Sequence, residues 1–479
     1  MASADYSNRK DPEVSVLIKG GRIITADNDQ VGDVYIEDEV VTQMGTSLQV
    51  PADLTFDARG KYVLPGCVDP HTHLGMRSGT VTIDDFQSGQ TAAAFGGTTC
   101  HVDFAIQEPG SSFTQALDSW HHMRDGKAII DSGFHIAITD LRHGDTPERL
   151  AELPGQGITS FKLFMAYKGT LQVDDETLFR TMEVASSTGA LVMVHAENGD
   201  AVDVLVRRAL AQGHTSPRWH AKTRPPELEA EATNRAIQLA RVAGCALYVV
   251  HVSCVEALEP IRAARENSWT VYGETCPQYL ALDDSLLDSP DFEGAKYVYT
   301  PPPRDEANQE ALWHALRDDV LSVISTDHCA FLWDGQKSLG RNDFSKIPNG
   351  GPGIEDRLQV IHELGVRSGR LSLRRMVELL STNPAKLFGL FPRKGSIAIG
   401  SDADLVIFDP NRANVIRAAN HHSRCDYNLY EGMHVTGSVD TVLLRGRVLM
   451  DGDQLVADPG TGHFIRRAPF GAHLKQTCT

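Results

Sequence analysis

The chain has 479 residues, and its 63 acidic and 45 basic side chains give a formal net charge of −18. This length accommodates one large domain and one smaller domain, and a hydrophobic content of 41% excludes a disordered chain. The acidic balance argues against nucleic acid or an anionic membrane as a partner, because both repel a negatively charged surface.

The first residues of the chain have neither a basic start nor an apolar core, so they do not predict a secretory signal. No apolar run approaches the ~20 residues that a membrane-spanning helix requires. The eight cysteines contain no Cys-x-x-Cys pair, and so few in a long chain are typical of reduced thiols. We therefore expect a cytoplasmic protein in which histidines and carboxylates bind any metal.

Two alternating apolar segments begin the chain, at Val14–Ile24 and Val34–Val41. Their alternation and their glycine breaks predict antiparallel strands. We assign residues 1–65 to the N-terminal part of a small β-sandwich, which both ends of the chain build around an inserted domain.

Residues 66–390 are predicted to form that inserted domain, a (β/α)8 TIM-like barrel of the α/β class. Eight nearly continuous apolar runs alternate with helical segments, as strands buried on both faces of a parallel sheet do. The alternative is an open, doubly wound sheet, and the barrel is favoured because polar residues fall at the strand ends. The runs are Cys67–His71, Thr99–Phe104, Phe134–Thr139, Thr159–Phe164, Leu191–His195, Ala246–His251, Val271–Cys276 and Leu321–Thr326.

The C-terminal residues 391–479 are assigned to the second part of the β-sandwich. Ala403–Phe408 and Val442–Met450 alternate like antiparallel strands, and Arg445-Gly446-Arg447 predicts a hairpin turn. The polar tail from Pro459 onwards is expected to be either a disordered end or an arm that docks on a neighbouring subunit.

A pair of histidines, His71 and His73, follows the first barrel run. Side chains alternate along a strand with a period of two, so both imidazoles point to the same side. Two imidazoles on one face can reach a single cation. Taken alone, the pair is equally compatible with ordinary polar loop residues.

Three further runs each lead into an ionisable residue, namely His195, His251 and Asp327. The carboxyl ends of barrel strands converge on one mouth, where the active sites of such folds lie. A single histidine there is typical of a structural residue, but four histidines and an aspartate at four strand ends indicate a metal site.

Lys162 lies inside an apolar run, where an unpaired ammonium group is costly to bury. It could be a snorkelling lysine or part of a buried ion pair. Alternatively, its pKa is lowered and the neutral amine adds carbon dioxide to become a carbamate. The carbamate would act as a carboxylate that bridges two metal ions, with oxygen donors that suit zinc.

With these residues in place, the sequence resembles the binuclear amidohydrolases, and within them the branch of the dihydropyrimidinases and D-hydantoinases. The resemblance extends from about Val16 to beyond Asp404. The metal-ligand pattern is typical of the whole superfamily, whereas four longer strings are typical of the branch. These strings are Phe161–Gly169, His195–Asp200, Thr300–Arg304 and Pro392–Gly395.

The resemblance implies two divalent metal ions, zinc by preference, that are bridged by carboxylated Lys162. One ion would be bound by His71, His73, the carbamate and Asp327. The other would be bound by the same carbamate together with His195 and His251. A hydroxide that bridges the ions would attack the amide carbonyl.

The resemblance also implies roles for four residues around the reacting amide. Asp327 would take a proton from the attacking hydroxide and transfer it to the leaving nitrogen. The hydroxyl of Tyr167 would support the developing oxyanion, unless Tyr167 is simply a half-buried aromatic residue. Thr300 and Asn349 would bind the amide edge of the substrate ring, largely through backbone groups.

Three apolar residues, Met76, Phe164 and Leu171, are candidates for a lid over the exocyclic substituent of the ring. They are equally compatible with ordinary loop packing.

The implied function is metal-dependent hydrolysis of the cyclic amide bond of 5,6-dihydropyrimidines or 5-substituted hydantoins to N-carbamoyl amino acids. Dihydroorotase and allantoinase are the alternative activities. In the dihydroorotase pattern an arginine lies two residues after the second histidine, but here that residue is Gly75 and Arg77 is out of register. A non-catalytic scaffold is a further alternative, which the complete set of ligand residues disfavours. The expected partner is a small cyclic amide or ureide, and relatives form homotetramers or homodimers.

Overall fold

A barrel of eight parallel strands occupies the middle of the chain in the computed structural model, which describes residues 14–141 and 146–472. The sheet domain built from the two ends of the chain lies beside it. The strands are β1 Val16–Ile24, β2 Asp29–Glu37, β3 Val40–Gly45, β4 Leu54–Asp57, β5 Tyr62–Pro65, β6 Cys67–Thr72, β7 Arg77–Ser78, β8 Thr80–Val81, β9 Thr98–Ile106, β10 Asp131–Ala137, β11 Ser160–Phe164, β12 Leu191–His195, β13 Leu247–Val249, β14 Val271–Thr275, β15 Val323–Ile324, β16 Leu405–Val415, β17 His434–Leu444, β18 Arg447–Asp451 and β19 Gln454–Leu455.

Helices follow most of the barrel strands and cover the outside of the barrel. The α-helices are α1 Phe86–Phe95, α2 Phe113–Arg124, α3 Pro147–Glu152, α4 Asp175–Thr188, α5 Gly199–Ala211, α6 Arg218–Lys222, α7 Pro226–Ala243, α8 Val255–Glu266, α9 Pro277–Ala281, α10 Ala307–Arg317, α11 Arg357–Ile361, α12 Leu373–Val377 and α13 Asn383–Leu387. Short 3-10 helices lie at Leu153–Gln156, Asp284–Asp288, Pro290–Tyr297, Lys337–Gly340, Phe344–Lys346 and Ala418–Asn420, and π-helical turns at His362–Arg367 and Glu378–Thr382. No helix within the described ranges is both long and apolar enough to span a membrane.

The barrel prediction is confirmed, and each of the eight apolar runs overlaps one of its strands. The strands pair in the order β15, β14, β13, β12, β11, β10, β9, β6, and a parallel bridge between Thr72 and His328 joins the two ends of this series. The last strands are shorter than their runs. Near their carboxyl ends His251 (φ 40°) and Asp327 (φ 50°) adopt left-handed backbone and leave the ladder.

The smaller domain is a nine-stranded sheet in which β5 and β16 pair antiparallel and so join the two ends of the chain. It encloses its own apolar core. The single segment expected at Val34–Val41 is divided between β2 and β3, because Asp38 and Glu39 turn the chain through left-handed backbone. Arg445 and Gly446 form the expected hairpin turn between β17 and β18.

The described part of the tail, residues 459–472, packs on the barrel of its own chain rather than extending away from it. The amide of Ile465 donates to the carbonyl of Ser132, and the amide of Ser132 donates to His463. The buried guanidinium of Arg467 donates to the carbonyl of Phe134 and to the hydroxyl of Ser160. The tail therefore covers the end of the barrel opposite to the mouth, where β10 and β11 begin.

Candidate metal centre

A cavity of about 570 Å³ opens at the carboxyl ends of the barrel strands. Every residue that the sequence analysis placed in the site lines this cavity. They are His71, His73, Met76, Lys162, Phe164, Tyr167, Leu171, His195, His251, Thr300, Asp327 and Asn349. The fold thus brings together side chains from five strands, as parallel strands of a barrel must when their carboxyl ends share one mouth.

Three of these residues form a compact group of potential metal ligands. One ligand atom each of His71, His73 and Asp327 can be chosen so that all three lie within 4.8 Å of one another. Oδ1 of Asp327 lies 3.1 Å from Nε2 of His71 and 3.3 Å from Nε2 of His73. Both Nε2 atoms therefore face the position that a shared cation would occupy.

The other two histidines form a second group beside the first. Nδ1 of His195 lies 2.9 Å from Nε2 of His251, and the ring of His251 lies 5.5 Å from the ring of His71 between centroids. These two nitrogens converge in the same way as those of the first group. The cavity therefore offers two adjacent sets of imidazole ligands.

Lys162 lies on β11 between these groups and is fully buried. Its Nζ has no hydrogen-bond partner within the described residues, although it lies about 5 Å from the ring centroids of Phe104 and Phe164. Burial lowers the pKa of Lys162 to about 7, against the attraction of Glu274 and Asp327. Neither a snorkelling position nor a close ion pair accounts for this side chain.

Burial lowers the pKa of three of the histidines of the site. The pKa of His73 falls to about 4, that of His195 falls below its ordinary value, and that of His251 falls well below it. Neutral imidazole is the form that binds metals. His71 differs: burial lowers its pKa, but Asp327 and Glu274 outweigh this and raise the pKa to about 9.

Two buried glutamates orient the histidines, and the sequence analysis assigned neither of them a role. Nδ1 of His71 hydrogen-bonds to Glu274, which also accepts a 2.8 Å hydrogen bond from the hydroxyl of Tyr248. Nε2 of His195 donates to Glu197 over 2.8 Å, and Arg224 donates to the same carboxylate. A charged residue inside an apolar strand was an available signal for Glu274, as it was for Lys162.

Tyr167 approaches the group from the loop after β11. Its φ of 69° is unusual for a bulky residue and turns the ring towards His195, 5.3 Å away between ring centroids. Burial raises the pKa of its hydroxyl to about 12, while Arg224 and hydrogen bonds with Thr300 and Asn349 partly oppose this rise. The hydroxyl therefore stays protonated near neutral pH and can donate a hydrogen bond.

The three lid candidates differ in how they are packed. Met76 and Phe164 are only 8% and 7% exposed, and Leu171 packs partly buried against the barrel core. All three present an apolar surface to the cavity and also contribute to the core.

The donor set matches a metal centre on the chemistry of its residues. It combines imidazoles with a carboxylate, the ligand types that suit zinc and its neighbours in the first transition series. Nδ1 of His251 and Nζ of Lys162 are buried and lack hydrogen-bond partners among the described residues. Glu274 and Glu197 orient the metal-facing nitrogens in the way that carboxylates do behind metal-binding histidines.

Comparison with known proteins gives consistent relatives along the whole chain. A profile of the amidohydrolase family matches residues 62–449. The chain is 53% identical to D-hydantoinase from Geobacillus stearothermophilus over 95% of its own length and 97% of that protein. It is 40% identical to dihydropyrimidinase from Rattus norvegicus, covering 98% of this chain and 93% of the relative. Its structure superposes with a TM-score of 0.94 on the crystal structure of dihydropyrimidinase from Brevibacillus agri NCHU1002, which is 51% identical and covers 95% of this chain and 99% of that one.

Proposed function

The chain belongs to the amidohydrolase family, and from this membership we propose that it hydrolyses the cyclic amide bond of 5,6-dihydropyrimidines and 5-substituted hydantoins. It is a cyclic amidohydrolase, and its products would be N-carbamoyl amino acids. The observation that carries the proposal is the high identity to D-hydantoinase along nearly the whole chain, in a molecule whose ligand-type residues all face one cavity.

Two divalent cations, zinc by preference, would be bound by the two groups of side chains. His71, His73 and Asp327 would hold one, and His195 and His251 the other. When bound, such ions supply Lewis acidity that polarises an amide carbonyl and acidifies water. Side chains of the protein would transfer the proton, position the ring and stabilise the developing charge.

Lys162 would complete both groups as a carbamate. The neutral amine nitrogen would form a bond to the carbon of carbon dioxide as one C–O π bond opens, and it would release one proton, so that a neutral buried amine becomes an anionic carbamate. This conversion supplies the negative charge that the centre needs, since β11 contains no aspartate or glutamate. It also replaces a buried amine that lacks a hydrogen-bond partner with a carbamate that the metal ions would stabilise.

Asp327 would transfer the proton. Its Oδ1 lies beside Nε2 of both His71 and His73, and the nearby imidazoles keep its pKa well below the ordinary value despite burial. An ionised carboxylate at that point can accept a proton from attacking water. It can then deliver the same proton to the ring nitrogen that leaves.

Tyr167, Thr300 and Asn349 would position the ring and stabilise charge. The protonated hydroxyl of Tyr167 points into the cavity and would donate to the oxygen on which negative charge develops. Backbone groups of Thr300 and Asn349 would hydrogen-bond to the amide edge. Met76, Phe164 and Leu171 would exclude water from the opposite side.

Dihydroorotase and allantoinase remain the alternative activities, and the cavity offers little to recognise a substrate carboxylate. Arg77 lines a neighbouring cavity together with Gly75 and Trp120. Lys346 reaches the rim, but its ammonium lies 3.5 Å from Asp343. An uncharged ring therefore suits the site better.

We also propose a cytoplasmic enzyme that assembles as a homotetramer or homodimer. All seven cysteines among the described residues are free thiols, which suits a reducing compartment. The assembly follows from the resemblance to oligomeric relatives.

A substrate panel on one zinc-loaded preparation tests the proposal. We expect turnover of dihydrouracil and of 5-substituted hydantoins, weak or no turnover of dihydroorotate and allantoin, and loss of activity after chelation that zinc restores. A fully metallated protein that opens none of these rings would contradict the proposed function and favour a scaffold.

A further inference from the structure

One apolar side chain on the cavity wall is exposed to solvent. Leu339 is 62% exposed, although it lines the same cavity as the metal-facing histidines. By contrast, Met76 and Phe164 are more than nine-tenths buried. Among the apolar side chains that line this cavity, Leu339 is the one whose surface is not committed to packing.

Leu339 lies on a short 3-10 helix, Lys337–Gly340, which we call the rim turn. Lys337 anchors the rim turn from below, because its fully buried Nζ donates to the carbonyls of Val298 and Gly350 over 2.7 and 2.6 Å. Those carbonyls lie within two residues of Thr300 and Asn349. The rim turn is therefore tied to the segments that would bind the amide edge.

The rim turn is also anchored to the short hairpin formed by β7 and β8. The side-chain amide of Gln336 donates to the hydroxyl of Thr80 and to the carbonyl of Val81 over 2.9 and 2.8 Å. A β-carbon at Gly340 would lie only 2.1 Å from Cγ1 of Ile347, so the backbone packs closely there as well. The exposed Leu339 therefore lies on a turn whose backbone is fixed by the contacts of Lys337, Gln336 and Gly340.

We propose that Leu339 is a specificity-determining residue that contacts the apolar substituent on ring carbon 5 of a hydantoin. This inference rests on the proposed function and extends it to a lining residue of the cavity outside the three lid candidates. A substituent that reaches the mouth removes apolar surface of Leu339 from water, which favours binding in proportion to the area buried. An unsubstituted ring leaves Leu339 in solvent.

The test compares kcat/KM for 5-phenylhydantoin and for dihydrouracil in Leu339→Ser, Leu339→Met and the unaltered enzyme. We expect Leu339→Ser to lower kcat/KM for 5-phenylhydantoin by about tenfold and to leave dihydrouracil unchanged, which is the size of effect that one apolar pocket contact supplies. Leu339→Met should restore most of the difference. Ile399→Ser removes an aliphatic side chain that is 72% exposed in the sheet domain, and it should leave both substrates unchanged.

Melting temperature, zinc content and oligomeric state are measured for every variant. An unchanged ratio between the two substrates in Leu339→Ser, or an equal loss on both, would overturn the inference while the proposed function stands. A change in oligomeric state would also overturn it, since Leu339 would then belong to a subunit interface. If the unaltered enzyme opens neither ring, the proposed function fails and the inference fails with it.

Discussion

Three of the residues that face the cavity lie in left-handed backbone, which disfavours side chains other than glycine. They are Tyr167 (φ 69°), His251 (φ 40°) and Asp327 (φ 50°). Each follows the end of a barrel strand, where the left-handed backbone ends the strand pairing. The side chain of each lines the cavity at the mouth of the barrel. Such backbone costs on the order of 1–3 kcal/mol per residue and is retained where the surrounding structure holds it.

Asp327→Asn should keep the fold, because asparagine tolerates left-handed backbone better than most residues. We expect kcat to fall by about 10²–10⁴-fold, since the amide cannot carry a proton from water to the leaving nitrogen. Steady-state kinetics measures kcat, zinc analysis measures the metal content, and thermal unfolding measures the stability of the fold. Near-normal turnover with unchanged metal content would rule out Asp327 as the proton carrier.

Tyr167→Phe should lower kcat by about 10²–10³-fold and change KM little, because the hydroxyl is expected to act on charge that develops only in the transition state. Tyr272→Phe is the matched control, since that ring packs against Phe470 at a distance from the cavity. A rise in KM alone would make Tyr167 a substrate-positioning residue.

Lys162→Ala should lose metal binding and activity together while the far-ultraviolet circular dichroism spectrum stays native. In the unaltered protein, metal-free enzyme should regain activity faster with zinc plus bicarbonate than with zinc in bicarbonate-free buffer. A bare lysine amine in a high-resolution map of a fully metallated, active enzyme would contradict the carbamate.

At the scale of elements, the strands determine which side chains meet, and neighbouring strands determine how those side chains are oriented. Glu274 on β14 illustrates this. It hydrogen-bonds to His71 on β6, although the two residues are 203 positions apart in the chain. The same carboxylate accepts from Tyr248 on β13. Orientation of the first histidine therefore depends on β14, which contributes no predicted ligand, and on β13, which leads to the predicted ligand His251.

Glu274→Gln should weaken zinc binding by about 10–100-fold, because the charged partner that orients His71 is lost while the side-chain volume is kept. Competition with a chelator measures the affinity. Glu310→Gln, on the exposed surface of α10, is the control and should bind zinc normally. Equal affinity in both variants would mean that Glu274 serves the barrel core and not the metal centre.

At the scale of the whole molecule, a buried ion cluster joins the barrel to the sheet domain. Nζ of Lys394 lies 2.6 Å from Asp131 at the start of β10, and 2.8 and 2.7 Å from Asp402 and Asp404 before β16. Lys394 is 1% exposed. One ammonium group thus compensates carboxylates from both domains.

Lys394→Met should destabilise the protein by about 3–5 kcal/mol, because buried Asp404 loses its ion-pair partner. Asp131, by contrast, keeps Arg445, and Asp402 keeps Arg393. Urea unfolding followed by circular dichroism measures the change. Lys61→Met breaks a partly exposed pair with Asp440 and should cost only about 0–1 kcal/mol. A similarly small cost for Lys394→Met would show that the cluster does not hold the domains together.

The sequence by itself indicated the barrel and the ligand-type residues at its strand ends, whereas Tyr167, Thr300 and Asn349 came from the resemblance to a known family. Both follow from local patterns: continuous apolar runs predict buried parallel strands, and a residue at the end of such a strand must face the mouth. The sheet domain was likewise evident from the alternation in both ends of the chain. The roles of the lining residues, such as Lys162, Tyr167 and Asp327, stay predictions.

Only the tertiary structure decided the contacts between distant parts of the chain. Glu274 behind His71, the anchoring of Leu339 through Lys337, and the packing of the tail around Arg467 each join segments that no local pattern relates. Side-chain hydrogen bonds and close packing depend on which elements become neighbours. Periodicity specifies which face of an element is buried, and the fold alone specifies what that face is buried against.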